Sequence, residues 1–335
     1  MPTDRIRPDA CPGAVDVHRA ADGGLARVRV PGGTLGAEAF DVVRTAALTL
    51  GNGEIELTSR ANLQVRGLAP GAEHTLAAML TDAGLLPSRS HERMRNIVAA
   101  PLEDNQALVD ALDRALCAVP KLADLPGRFL VTVGAAVSGL NGDIGLVGDA
   151  LFLAGRDSGL RVTDPVAAVV AAAEAFQDLR GDAWRLSEVD DGVRKVTERL
   201  GTPGAERLAP AVTPVAPGPV DGRLVTGVPL GRLDARLLAG TPVRITPWRG
   251  FVLPADAPVD GLFTSVDSPW HGVTACTGRP GCAKSLSDVR ADVTRWVGTP
   301  RARPAHWSGC ARRCGRPAGD VVEFVATGEG YEEIR

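Results

Sequence analysis

Four cysteines near the end of the chain restrict its fold more than any other feature. Cys276 and Cys282 lie in ACTGRPGCAKS, and Cys310 and Cys314 lie in HWSGCARRCGRP. Spacings of C-x5-C and C-x3-C, separated by a helix-length segment, let both pairs converge on one compact centre, as thiolates do around a cubane iron–sulfur cluster. Zinc and disulfides are the competing readings. Structural zinc sites typically pair cysteines about two to four residues apart, which disfavours the wider pair. Disulfides need an oxidising compartment, for which nothing else in the chain speaks. Gly278, Gly281, Gly309 and Gly315 flank the thiols and allow backbone amides to approach sulfur. After Cys282, the positions Leu286, Val289, Val293 and Trp296 recur at steps of three and four, which predicts a helix leading away from the centre.

A chain of 335 residues buries a substantial core and has room for more than one domain. Its net charge of −3 and the absence of a basic stripe exclude nucleic acid as a partner class. The N-terminus has no apolar signal core, and the most apolar run, Val166 to Phe176, is too short to span a bilayer. The expectation is a reduced, cytoplasmic protein with no membrane contact. Only Lys121, Lys195 and Lys284 among 37 cationic side chains are lysines, a bias that suits planar carboxylate recognition but also fits codon composition.

Read in order, LARVRV at 25–30 alternates like a half-buried strand and PGG breaks it. Phe40, Val43, Ala47 and Leu50 predict a helix ended by GNG, Ile55 and Leu57 a strand, and 72–85 a second helix, so the order is that of half a ferredoxin-like sandwich. The middle predicts a mixed α/β layer: a helix through Leu108, Leu112 and Leu116, strands at 128–133 and 149–153, then helices through Val166–Phe176 and Val189–Leu200. TPGAERLAPAVTPVAPGP, from 202, reads as a semi-rigid linker. Beyond it an earlier pattern returns in the same order. RLVTGVPLGRL at 223–233 echoes LARVRVPGGTL at 25–35, and VRITPWRGFVL at 243–253 echoes IELTSRANLQV at 55–65, a weak internal duplication.

CTGRPGC and SGCARRCGRP resemble the cluster-binding motifs of the siroheme-dependent nitrite and sulfite reductase superfamily. The resemblance implies a [4Fe-4S] cluster on Cys276, Cys282, Cys310 and Cys314, with Cys314 also bridging to the iron of siroheme. It implies an α+β fold in which two ferredoxin-like half-domains (1–88 and a shortened 222–258) alternate with two mixed α/β cluster-type domains (89–200 and 259–335), joined by the linker 201–221. Arg60 in TSRANLQVR matches an arginine on the anion-binding face above the tetrapyrrole. On an extended strand Arg60, Gln64 and Arg66 share one face. Arg95 in MRNIV matches a second active-site arginine, with Asn96 beside it. In PGRFLVT, two family lysines become Arg128 and Leu130, placed on one strand face.

Losing one cation removes a charge-assisted hydrogen bond worth ~1.5–3 kcal/mol and weakens the hold on sulfite or nitrite. This departure resembles the precorrin-3B synthase branch of the superfamily. That branch implies an oxygen-dependent conversion of precorrin-3A to precorrin-3B in aerobic cobalamin biosynthesis, with hydroxylation at C20 and closure of a lactone on a tetrapyrrole substrate. The cluster would relay electrons from an external donor, an NADH-linked reductase or a ferredoxin, since no G-x-G-x-x-G follows a strand. Siroheme or a second non-heme iron would complete the centre, with His271 and His306 as candidate ligands. Cys117, on an apolar helix face, reads as a buried thiol. A siroheme-dependent sulfite or nitrite reductase and a non-catalytic tetrapyrrole- or cluster-binding protein are the alternatives.

Overall fold

The computed structural model describes residues 11–299, 302–317 and 319–334. The first sheet is built from β1 (His18–Ala20), β2 (Gly23–Val28), β4 (Glu54–Leu57) and β5 (Leu63–Leu68), covered by α1 (Ala37–Thr49) and α2 (Ala72–Asp82). Its counterpart is built from β11 (Gly218–Val220), β12 (Arg223–Gly227), β14 (Val243–Ile245) and β15 (Gly250–Pro254). The two exchange an edge. The short β3 (Thr34–Leu35) pairs with β14, and β13 (Arg232–Asp234) pairs with β4, both antiparallel. The sheets therefore read β1-β2-β5-β4-β13 and β11-β12-β15-β14-β3, one the image of the other.

The repeat extends to its turns. Ala61 (φ 53°) and Arg249 (φ 58°) both enter the left-handed region, after Thr58 and Thr246 respectively. Ala61 N donates to Thr58 O at 3.1 Å and Arg249 N to Thr246 O at 3.2 Å. Two α-helices cover the first sheet and none lies between β11 and β15, so the second unit keeps its strands and loses its helices. One core serves both, with Phe40 of α1 edge-on to Phe251 of β15 at 6.1 Å.

The first α/β layer has β6 (Ile97–Ala99), β7 (Val131–Val133) and β8 (Ile144–Val147) in parallel, then β9 (Ala150–Leu153) and β10 (Arg156–Arg161) antiparallel, under α3 (Gln106–Cys117), α4 (Pro165–Leu179) and α5 (Gly192–Leu200). Asp164 caps α4 by accepting from Ala167 N at 2.9 Å, with Pro165 at the first helical position. The last layer repeats the strand plan: β16 (Val273–Ala275), β17 (Ala305–Ser308) and β18 (Val322–Ala326) run parallel and β19 (Tyr331–Ile334) antiparallel, with α6 (Val289–Trp296) between β16 and β17.

Four expectations change. The strand expected at 128–133 begins at Val131, so Arg128 and Leu130 precede it and share no strand face. The helix after Cys282 begins at Val289 and leaves Leu286 exposed. The helix read from Val189 begins at Gly192. The Pro-rich segment is not a free spacer: Gly204 N, Ala211 O and Thr213 N bond to Gly159 O, Gly139 N and Ala136 O, strapping it along the first α/β layer. Among the described residues no helix is long and apolar enough to cross a membrane.

Candidate active site

Both cysteine pairs start at the carboxyl ends of neighbouring parallel strands, the edge where α/β sheets gather their sites. Cys276 follows β16 and Cys310 lies just beyond β17, and these strands pair with Ala275 opposite Trp307. Gly309 N donates to Cys276 Sγ at 3.1 Å. A Cβ on Gly309 would collide with Ser285 Oγ, and one on Gly281 would lie 2.7 Å from Thr277 Cγ2 and 3.0 Å from Arg66 Nη2, so glycine is required at both. Burial pushes the Cys276 thiol up, the amides of Gly309 and Gly278 oppose it, and Cys314 and Cys282 lie close enough to add to the rise.

Among the described residues, no three His, Cys, Asp or Glu side chains converge on a single-ion site. A four-iron cluster is larger than an ion and spaces its thiolates more widely than zinc does, and glycine amides aimed at sulfur belong to that chemistry. Thiolate chemistry suits a cluster, and Cys276, Cys282, Cys310 and Cys314 are the residues that would hold one.

Cys276 and Cys314 open on a cavity of about 300 Å³, whose other wall is the first sheet: Arg27, Glu56, Gln64 and the Thr58–Ser59 turn, with Arg249 and Arg290 completing the rim. A cleft of about 490 Å³ shares Leu230, Thr277 and Arg290 with it and is lined by Asp22, Arg232 and Arg279. Burial lowers the pKa of Arg249, and burial with the neighbouring Arg290 lowers that of Arg232 to about 10. Arg249 Nη2 donates to Gly315 O at 3.2 Å, beside Cys314.

The residues singled out from sequence divide. Gln64, Cys276 and Cys314 meet in the cavity. Arg66 is a fastener: it binds Asp22 at two points (3.0 and 2.9 Å) and donates to Gly281 O at 3.0 Å, tying β5 to the first cysteine loop. Arg60 does not share the face of Gln64 and Arg66, because the left-handed Ala61 breaks the alternation and Arg60 Nη1 reaches Gly127 O at 3.0 Å. Burial, then Arg185, lowers its pKa to about 10.

Arg95 is not brought to the cavity. Its guanidinium is filled by Asp113 (2.8 and 2.7 Å) and Leu85 O (3.0 Å). Asn96 is a fully buried hub that donates to Gly127 O and Phe129 O and accepts from Asn62. Arg128 is exposed and lies 4.8 Å over Trp184, while Leu130 is buried against Val98 and Val137. Neither histidine lines the cavity: His271 is exposed near Phe263, and His306 is buried with Nδ1 2.9 Å from Thr274 Oγ1. Burial, then Arg249, pushes the His306 pKa down to about 4.

Arg27, Arg249 and Arg290 were not singled out from sequence. Arg249 occupies the repeat position of Ala61, so aligning the two turns would have exposed the odd cation; Arg290 gave no signal.

Residues 18–83 match the nitrite/sulfite reductase ferredoxin-like half domain. Precorrin-3B synthase from Sinorhizobium sp is 25% identical over 380 aligned residues, covering 97% of this chain and 82% of the relative. The NirA protein of Mycobacterium tuberculosis superposes with a TM-score of 0.69 at 19% identity, covering 92% of this chain and 73% of NirA. The chain thus has the nitrite/sulfite reductase fold, resembles precorrin-3B synthase over nearly its full length, and is an enzyme of the oxidoreductase kind.

Proposed function

We propose that the chain converts precorrin-3A to precorrin-3B with dioxygen, using electrons from an external reductase or ferredoxin in the cytoplasm. The observation that carries this reading is the cavity in which Cys276 and Cys314 face Arg27, Gln64 and Arg249. A [4Fe-4S] cluster on Cys276, Cys282, Cys310 and Cys314 would supply single electrons. Arg27, Arg249 and Arg290 present planar forks to carboxylates at the rim of a macrocycle, and Gln64 offers an amide beside them. Leu57 and Leu230 supply apolar wall against the ring. Arg66 keeps the first cysteine loop against the sheet, which sets the distance between substrate and thiolates. At the alternative oxyanion site, Arg128 is stacked on Trp184 and Leu130 is buried, which leaves a small dianion under-neutralised.

The test is turnover by anaerobically purified protein given a low-potential donor. Precorrin-3A oxidation that consumes dioxygen is expected, with negligible sulfite or nitrite reduction. Sulfide or ammonia formation without precorrin oxidation would replace this reading with a siroheme-dependent reductase, and tetrapyrrole binding with no turnover would leave a binding protein. Arg249→Ala should weaken tetrapyrrole binding by an order of magnitude or so, about 1.5 kcal/mol, for one lost charge-assisted contact.

A further inference from the structure

The last layer concentrates redox-active rings against one cysteine ligand. Trp307 on β17 accepts, through its backbone carbonyl, the amide of Cys276 at 2.9 Å, and both residues pack in one cluster. Its ring lies 4.5 Å from Tyr331 and 5.1 Å from Trp296, centroid to centroid. Tyr331 is the single tyrosine of the chain. Its hydroxyl donates to Asp292 Oδ2 at 2.7 Å and meets Ser287 Oγ, and Tyr331 and Asp292 both reach the surface in part. Such a poor aromatic supply, 4% of the sequence, makes packing alone a weak reason for this grouping.

We propose that Trp307 and Tyr331 form a relay that carries oxidising equivalents from the cysteine centre to the surface. The proposal rests on the oxygen-dependent reading above. When a dioxygen-derived oxidant at the centre takes one electron without coupling to substrate, Trp307 passes it that electron and recovers one from Tyr331. The phenol proton moves to the Asp292 carboxylate, leaving a neutral tyrosyl radical. A thiol- or ascorbate-class reductant returns the electron from solvent, and Asp292 returns the proton. Burial holds the phenol protonated at ordinary pH, so oxidation must release that proton to its partner.

Anaerobically purified protein, with iron and labile sulfide counted first, is exposed to dioxygen, frozen and examined by electron paramagnetic resonance. A tyrosyl signal is expected, and it has only one residue to arise from. Tyr331→Phe should lack the signal and lose cluster iron several-fold faster in air, while Asp292→Asn should lower the radical yield. Absence of the signal in cluster-loaded wild-type protein, or equal iron loss in Tyr331→Phe, overturns the relay. Precorrin-3A turnover is assayed on the same samples: turnover with no radical sinks the relay alone, and a radical without turnover sinks the oxygenase reading alone.

Discussion

Among the described residues, 23 buried apolar residues around β6–β9 form one cluster beneath three helices; around β16–β19, which repeat the same strand plan, the corresponding cluster has four, with eight partly buried side chains packed on it. The last layer thus has the smaller apolar core of the two. It leans on three contacts with the paired sheets, through Arg66 to Gly281, Arg290 to Glu56 and Arg249 to Gly315, and on whatever its thiols bind. The same topology carries a large apolar core in one copy and a small one with cross-domain charge contacts in the other, and the thin copy is the one that opens on the cavity.

The sharpest break in this comparison is Cys282→Ser. Iron and labile sulfide should fall to background, and limited proteolysis should cut within 259–334 while fragments spanning 89–200 persist, because metal binding and folding are coupled where the core is small. Equal protease resistance of both layers would show that the last one stands without its ligands. Arg66→Ala should cost about 1.5–3 kcal/mol in urea unfolding, since it removes the buried guanidinium's bonds to the half-buried Asp22 and to Gly281 O and frees the cysteine loop. Unchanged stability would move the anchor elsewhere.

The contrasting substitution in the thick layer is Asn96→Ala. It should cost about 1–3 kcal/mol, through the unpaired carbonyl of Phe129 and the unpaired side-chain amide of Asn62, with iron content unchanged. Iron loss would mean that the two layers are coupled more tightly than their separate cores imply.

The smallest effect belongs to Cys117, whose thiol is pushed by burial from 9.0 to about 11. Its folded pKa lies above its unfolded one, so its contribution is present below pH 9 and is lost as pH rises toward 11. The urea midpoint should slip downward across that window, and Cys117→Ser should flatten part of the slope. Alkylation of metal-free protein should reach exposed Cys314 first and Cys117 last.

Much of this was legible because local signals carried it. The echo at 223–253 located the repeat, the cysteine motifs include Cys276 and Cys314 of the cavity wall, and periodicity found α1, α3 and α4. What failed depended on three-dimensional context. Alternation placed Arg60 with Gln64 and Arg66, but a left-handed Ala61, invisible to a period-two pattern, turned it toward Gly127. A motif match pointed Arg95 at substrate, but Asp113, eighteen residues on, claims its fork. β16 to β19 escaped reading because strands of three to five residues give too few positions for a pattern.

The exchanged edge also sets a timetable for synthesis. β4 emerges from the ribosome early, but its partner β13 lies at 232–234. At about 5–20 residues per second the wait is on the order of ten to forty seconds, during which β4 offers an unpaired edge to any neighbouring nascent chain. Glu54 and Glu56 occupy that edge strand and repel a second copy of it, until Arg232 arrives for the first and Arg290 for the second. The acids that later pair with Arg232 and Arg290 thus put like charge on the edge that waits for β13.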